Sequence, residues 1–194
     1  KINNIVFSGA GTPLIGLTKA DPKFEFFQCS GILDSTTFGS AFTSGGPAAL
    51  VPISTFPLST YIDIGSSPPT PGLYSTSPNT ERFVLSDDEN GELTYTGAKM
   101  MTATVRVTAS FAGSGGATRP ITLAVSMDIG SGWVICPESE FGTTALPSPV
   151  IASSECTLMI PPGAKIKPQL RQIAGGVVDI EAYTVSVNIN STSL

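Results

Sequence analysis

The 194-residue chain contains no histidine. That removes the usual general base, and with it the Ser-His-Asp and Cys-His nucleophile arrangements. It also removes the commonest zinc ligand. Charged residues are scarce, 13% of the chain with a net charge of −5. Lys23, Lys99, Lys165 and Lys167 are too scattered to form a basic arm, so nucleic-acid binding through phosphate neutralisation is not expected. Apolar runs are broken by Gly, Pro or Ser within a few residues, which argues against a membrane-spanning helix. No stretch carries a useful helical period, and no tandem repeat at solenoid spacing is present.

Other chemistry is thin as well. Gly9-Ala10-Gly11, Gly45-Gly46 and Gly113 to Gly116 lack the Lys-Ser/Thr ending and following helix of a phosphate loop. Cys29, Cys136 and Cys156 make an odd count, so at most one pair can form and one thiol is left over. Their spacing fits no zinc pattern. The other reading is that they are small buried apolar residues. The acidic groupings are Asp87-Asp88-Glu89 and Glu138-Ser139-Glu140. Neither sits in a catalytic pattern, and solvated loop tips account for both. A weak Ca²⁺ site at Asp87, Asp88 and Glu89 is the sharper alternative, because calcium collects several oxygen ligands. No cofactor and no enzymatic activity are expected. Asn190-Ser191-Thr192 is a glycosylation sequon, relevant only on a eukaryotic secretory route.

What is abundant is strand and turn material. The chain has Gly 20, Pro 16 and 41% apolar residues, a composition that argues against disorder and allows a single domain with a substantial core. From Met101 to Phe111 the odd positions are apolar (Met101, Ala103, Val105, Val107, Ala109, Phe111) and the even positions between them polar. A period of two held this long predicts a strand with one buried face. Ile121 to Ile129 repeats the pattern after the Gly113–Gly116 connection. Gly130-Ser131-Gly132 turns the chain into a strand over 133–136. Residues 137 to 149, with three prolines and Gly142, read as a loop. A short strand over 156–160 and the Pro161-Pro162-Gly163 turn follow. Ile166, Pro168 and Leu170 alternate, and Pro168 predicts an edge strand or a bulge. The last strand, 178 to 189, changes parity at Ala182-Tyr183. That is the mark of a β-bulge, or else of burial on both faces.

The first 80 residues read as a loop-rich N-terminal region or arm, with short strands at 5–7 and 61–64 and a Ser/Thr/Gly-rich stretch over 30–46. A further strand at 83–85 leads through an acidic turn to Asn90-Gly91, a pair suited to a tight hairpin. Six or seven strands from Phe83 onward, spaced by Gly/Pro turns, predict an all-β antiparallel sandwich spanning 1–194, with its core in 81–194. Trp133, just past a glycine turn, is either an exposed ligand anchor or a plug in the core or a subunit interface.

The run Gly91-Glu92-Leu93-Thr94-Tyr95-Thr96-Gly97, followed by its long alternating strand, resembles a pattern in structural proteins of tailed bacteriophages and other large-particle viruses. With Ile121–Ile129, Cys156–Gly163 and Val177–Ile189, the arrangement is similar to globular heads of the complement and tumour-necrosis-factor type, compact jelly rolls that assemble as trimers. The resemblance covers roughly residues 83 to 190. The turn after Ile129 departs from it, and residues 1 to 80 find no counterpart. It implies a virion structural protein at the particle surface, and so an extracellular one: a spike or fibre head, or a capsid-associated protein, self-associating as a homotrimer and meeting a host receptor or glycan. It also implies a subunit interface through Met101, Val105, Tyr183, Val185 and Val187, with Ile189 beside them. Core packing inside one subunit is the competing reading. Two alternatives stand beside the spike head. One is an icosahedral capsid subunit with residues 1–80 as an arm. The other is a bacterial carbohydrate-binding or adhesin module, for which Trp133, Tyr61 and Tyr74 are the loop aromatics at hand.

Overall fold

The computed structural model describes residues 2–3, 26–27, 37–43, 49–52, 56–65, 71–76, 82–114, 118–145, 148–174 and 179–191. The first strands are β1 (Ile2–Asn3), β2 (Phe26–Phe27), β3 (Thr37–Thr43), β4 (Ala49–Val51), β5 (Ile62–Asp63) and β6 (Tyr74–Ser75). Then come β7 (Phe83–Asp87), β8 (Glu92–Tyr95), β9 (Met101–Gly113), β10 (Arg119–Asp128) and β11 (Trp133–Ile135). A 3₁₀ turn, Pro137–Ser139, precedes β12 (Phe141–Ala145), β13 (Val150–Ile160), β14 (Lys165–Gln172) and β15 (Ile180–Ser191).

These strands form an antiparallel jelly-roll sandwich. One sheet runs β13-β9-β15-β3-β6, with β4 also on β15; the other runs β11-β10-β14-β8-β7, with β12 on β10 and β5 on β14. A short parallel pair, β1-β2, stands apart from both. The alternation of β9 becomes burial: Ala103, Val105, Val107, Ala109 and Phe111 face the core, while Arg106 is exposed. Leu93, Ile121, Leu123, Ile166 and Leu170 meet them from the other sheet, each at 0% exposure. Each such side chain contributes roughly 1.5–3 kcal/mol relative to an exposed position. The predicted bulge is present. β15 shifts register on β9 between Ala182 and Thr184, leaving Tyr183 unpaired and keeping both Ala182 and Val185 in the core.

Several expectations are corrected. The 137–149 segment is not simply a loop, because Phe141–Ala145 pairs with β10. β13 begins at Val150, well before the expected start, since its inward positions include small or polar Ala152 and Ser154, which hide the alternation. β14 is central, with neither an edge position nor a bulge at Pro168, which stands opposite Val125 of β10. The opposite side of β14 pairs with β8 only up to Ile166 and with β5 only from Gln169, so the residue without an N–H falls in the gap between them. Within the region read as loop, Thr37–Thr43 and Ala49–Val51 are strands on β15, so this part of the N-terminal region is built into the sheet of its own chain. The predicted strand at 5–7 and Cys29 lie outside the described residues.

Candidate functional site

Ile166 and Leu170 turn into the core, so the strand's period of two sends Lys165, Lys167, Gln169 and Arg171 to the opposite face of β14. Each finds a carboxylate. Lys165 Nζ lies 2.8 Å from Glu92 Oε1. Lys167 Nζ is 2.7 Å from Asp63 Oδ1 and 2.8 Å from Oδ2, and Gln169 Nε2 donates to the same Oδ1 at 2.7 Å. Arg171 Nη2 donates to Glu140 Oε1 at 3.0 Å.

Two aromatic rings complete this layer. Lys167 Nζ sits 4.0 Å above the Trp133 ring, and the Arg171 guanidinium lies 4.6 Å above Tyr61. The Tyr61 hydroxyl donates to Glu140. Burial, and then this bond to a carboxylate, push the Tyr61 hydroxyl above its ordinary pKa. The Lys167 side chain is only 8% exposed. A cation so far out of water needs strong partners, and the two Asp63 oxygens and the Trp133 ring supply them. Arg171 Nε is buried and makes no hydrogen bond.

Beside this layer opens a cavity of about 360 Å³, lined in part by Phe56, Tyr61, Asp63, Asn90, Lys167 and Gln169. Its walls offer carboxylate and amide oxygens, amide and ammonium hydrogens, and aromatic edges, with the charges mutually paired. Such a lining suits a neutral, hydroxyl-rich ligand better than an ion.

The site residues expected from sequence distribute as follows. Trp133 and Tyr61 join this layer, each with a cation over its ring. Tyr74 does not: it is buried, its hydroxyl donating to the Ile64 carbonyl at 2.8 Å. The acidic turn of Asp87, Asp88 and Glu89 is laced by its own hydrogen bonds. Asp87 Oδ1 accepts from the amides of Glu89 (2.9 Å) and Asn90 (3.2 Å), and Oδ2 from the Asn90 side chain at 2.8 Å. Asp88 is turned to the Gly72 amide at 2.9 Å. These oxygens hold the turn, and no group of three or more His, Cys, Asp or Glu converges among the described residues. Burial raises the Asp87 carboxyl, but hydrogen bonds from the Asn90 side chain and the Glu89 and Asn90 amides outweigh it and leave the pKa lowered. Glu138 and Glu140 serve different partners, the Cys136 thiol at 3.7 Å and Arg171.

The interface candidates differ in burial within one chain. Val105, Val185 and Val187 are at most 1% exposed within one chain, so their surfaces are already spent on the sandwich core. Met101 is half-buried against that core. Tyr183 is the bulged residue, half-buried, its hydroxyl donating to Glu181 at 2.7 Å. The outer face of β13-β9-β15 instead presents rows of opposed residues such as Ser153-Thr108-Ser186 and Glu155-Arg106-Asn188.

Sequence reasoning missed Asp63, Asn90, Gln169 and Arg171. One signal was available: polar residues at 165, 167, 169 and 171 interleave with the apolar positions of β14. Which acids would meet them depended on β5 and the Glu140 segment arriving from distant parts of the chain.

The strand order and two-layer packing define an antiparallel jelly-roll sandwich. Among solved structures, the chain is similar to Eiger TNF from S. frugiperda, with TM-score 0.50, 12% identity and coverage of 81% of this chain and 95% of that one. Murine APRIL at pH 5.0 aligns with TM-score 0.45 and 7% identity over 78% of this chain and 98% of that one. Murine APRIL at pH 8.0 aligns with TM-score 0.46 and 6% identity over 77% and 98%. No protein-family model matches the sequence, and no curated protein matches it.

Proposed function

We propose that this chain is a non-enzymatic surface component of a virion, a jelly-roll spike or fibre head or capsid-associated protein. It self-associates as a homotrimer and attaches through a neutral glycan held at the β14 cavity. The observation that carries the attachment reading is the cavity itself. It combines Tyr61 and Phe56 with the amide and carboxylate groups of Asn90, Gln169 and Asp63, and its charges are internally paired. Support for self-association comes from the outer face of β13-β9-β15, where Ser153, Thr108 and Ser186 lie beside the Arg106–Glu155 pair and the exposed apolar Ile151 and Met159. The viral setting rests on the Gly91–Gly97 resemblance. The absence of catalysis is supported by carboxylates that are each engaged by a partner in the layer.

Light scattering on the purified chain combined with a glycan array tests this. A discrete trimer that binds neutral glycans, with binding lost in Phe56→Ala, is expected; Phe56 is 40% exposed and its removal leaves the core intact. Large closed shells favour the capsid reading. A glycan-binding monomer favours an adhesin module. Specific turnover abolished by Glu140→Gln would overturn the non-enzymatic reading.

A further inference from the structure

Two side-chain amides line the β14 cavity, Asn90 and Gln169, and an acid holds each by its nitrogen end. Asn90 Nδ2 donates to Asp87 Oδ2 at 2.8 Å, and Gln169 Nε2 donates to Asp63 Oδ1 at 2.7 Å. Asp63 is the anion of the ion pair with Lys167, and Asp87 accepts from the Glu89 and Asn90 amides as well as from the Asn90 side chain. A carboxylate in that role only accepts, so it fixes which end of each amide is nitrogen and which is oxygen. The oxygen ends, Asn90 Oδ1 and Gln169 Oε1, have no hydrogen-bond partner among the described residues. Asn90 Oδ1 is seated over the bare α-carbon of Gly65, another residue of the cavity wall, where any β-carbon would overlap it. The other strong donors of the wall are spent inward. Lys167 Nζ faces both Asp63 oxygens and the Trp133 ring, and the Tyr61 hydroxyl donates to Glu140.

We propose that Asn90 and Gln169 are the specificity-determining residues of this cavity, their two carbonyl oxygens selecting a saccharide that donates two hydroxyl hydrogens, with Asp87 as the positioning residue for Asn90. The proposal rests on the attachment reading above and names which groups of the ligand that site requires. A hydroxyl answers an amide oxygen without bringing charge. An ammonium, the other strong donor, would meet the Lys167 cation in the same wall. Phe56 and Tyr61 give the apolar C–H face of a sugar ring a surface to lie on. An acceptor taken out of water and left unpaired costs more than a completed bond gains, so a ligand lacking either hydrogen is rejected.

The test titrates the native full chain with the methyl glycosides of glucose, galactose and mannose, and with the monodeoxyfluoro form of each at every free hydroxyl, by ligand-observed NMR. Fluorine holds the place of a hydroxyl but has no hydrogen to donate. One of the parent glycosides should bind, and fluorine at two of its positions should weaken binding about tenfold each. Asn90→Leu should remove one of those two penalties and Gln169→Met the other. Asp87→Asn puts an amide nitrogen in place of Oδ2 and so turns the Asn90 amide around; it should remove the Asn90 penalty alone, which a general loosening of the turn would not do. Fluorinated forms that all bind like the parent would overturn the selection and leave the attachment reading standing. Methyl glucosaminide binding more tightly than methyl glucoside would overturn it too, because the oxygens would then serve a cation. No parent glycoside bound also overturns the selection, and a silent glycan array besides removes the attachment reading itself. The fluorine series is read on the native chain, so it decides even where a variant fails to fold.

Discussion

The ring of Tyr74 lies against the bare α-carbon of Gly91, where an added β-carbon would come 2.7 Å from Tyr74 Cε1. Gly91 also holds φ at +70°. The second glycine of the Gly91–Gly97 run has the same kind of partner: a β-carbon at Gly97 would overlap the Tyr95 hydroxyl, which donates to the Lys99 carbonyl at 2.7 Å. Both glycines are thus spaces cut for tyrosines. Gly91→Ala and Gly97→Ala should each destabilise the fold by about 1–3 kcal/mol in denaturant titrations. Gly142→Ala, with open space at its α-carbon, should stay within about 0.5 kcal/mol of the parent.

Two ion pairs should behave differently. Arg106 and Glu155 are 58% and 46% exposed, so Arg106→Ala should cost less than about 1 kcal/mol. Asp63→Ala strands the buried Lys167 ammonium and should cost about 3 kcal/mol. Adding Lys167→Met removes the stranded charge and should recover part of that loss, which a double-mutant cycle measures.

Deleting Tyr183 removes the one unpaired residue of the β15 bulge. Ala182 and Val185 then keep their inward positions in a regular strand, so ΔTyr183 should retain a cooperative thermal transition. Deleting Asn188 instead throws the pairing with Arg106 and everything beyond it out of register, turning Ile189 outward, and should abolish the transition.

Stability should fall at both ends of the pH scale for identifiable reasons. The folded Asp87 carboxyl titrates below its unfolded value of about 3.9. Its contribution is present above that pH and is lost as pH falls through the folded value, so Asp87→Asn should flatten the loss of stability below about pH 4. Tyr74 is shifted up, mainly by burial, and Tyr61 by burial and its bond to Glu140. Their contribution is full below the unfolded value of about 10 and declines as pH rises beyond it. Tyrosinate absorbance at 295 nm should therefore show both hydroxyls ionising late, together with unfolding.

Much of the sandwich could be read from the residues alone, because a strand's period of two is a local property. Met101–Phe111, Ile121–Asp128 and the parity break at Tyr183 announce their buried faces without reference to any neighbour. Burial at Val105, Val185 and Val187 was equally legible, but what covers them was not: a sequence cannot distinguish the opposite sheet of one chain from a second subunit. The structure gives them to the core. Segments lacking alternation were misread for a related reason. Phe141–Ala145 and Thr37–Thr43 are strands because β10 and β15 offer them ladders, and that pairing energy is non-local.

The candidate site belongs wholly to this second kind. Residues 165, 167, 169 and 171 were bound to share one face wherever their strand lay. That Asp63 meets Lys167 and that Trp133 lies beneath the same ammonium both required segments far apart in the chain to be brought into register. Backbone periodicity dictates which way a side chain points, and only closure of the two sheets dictates what it meets.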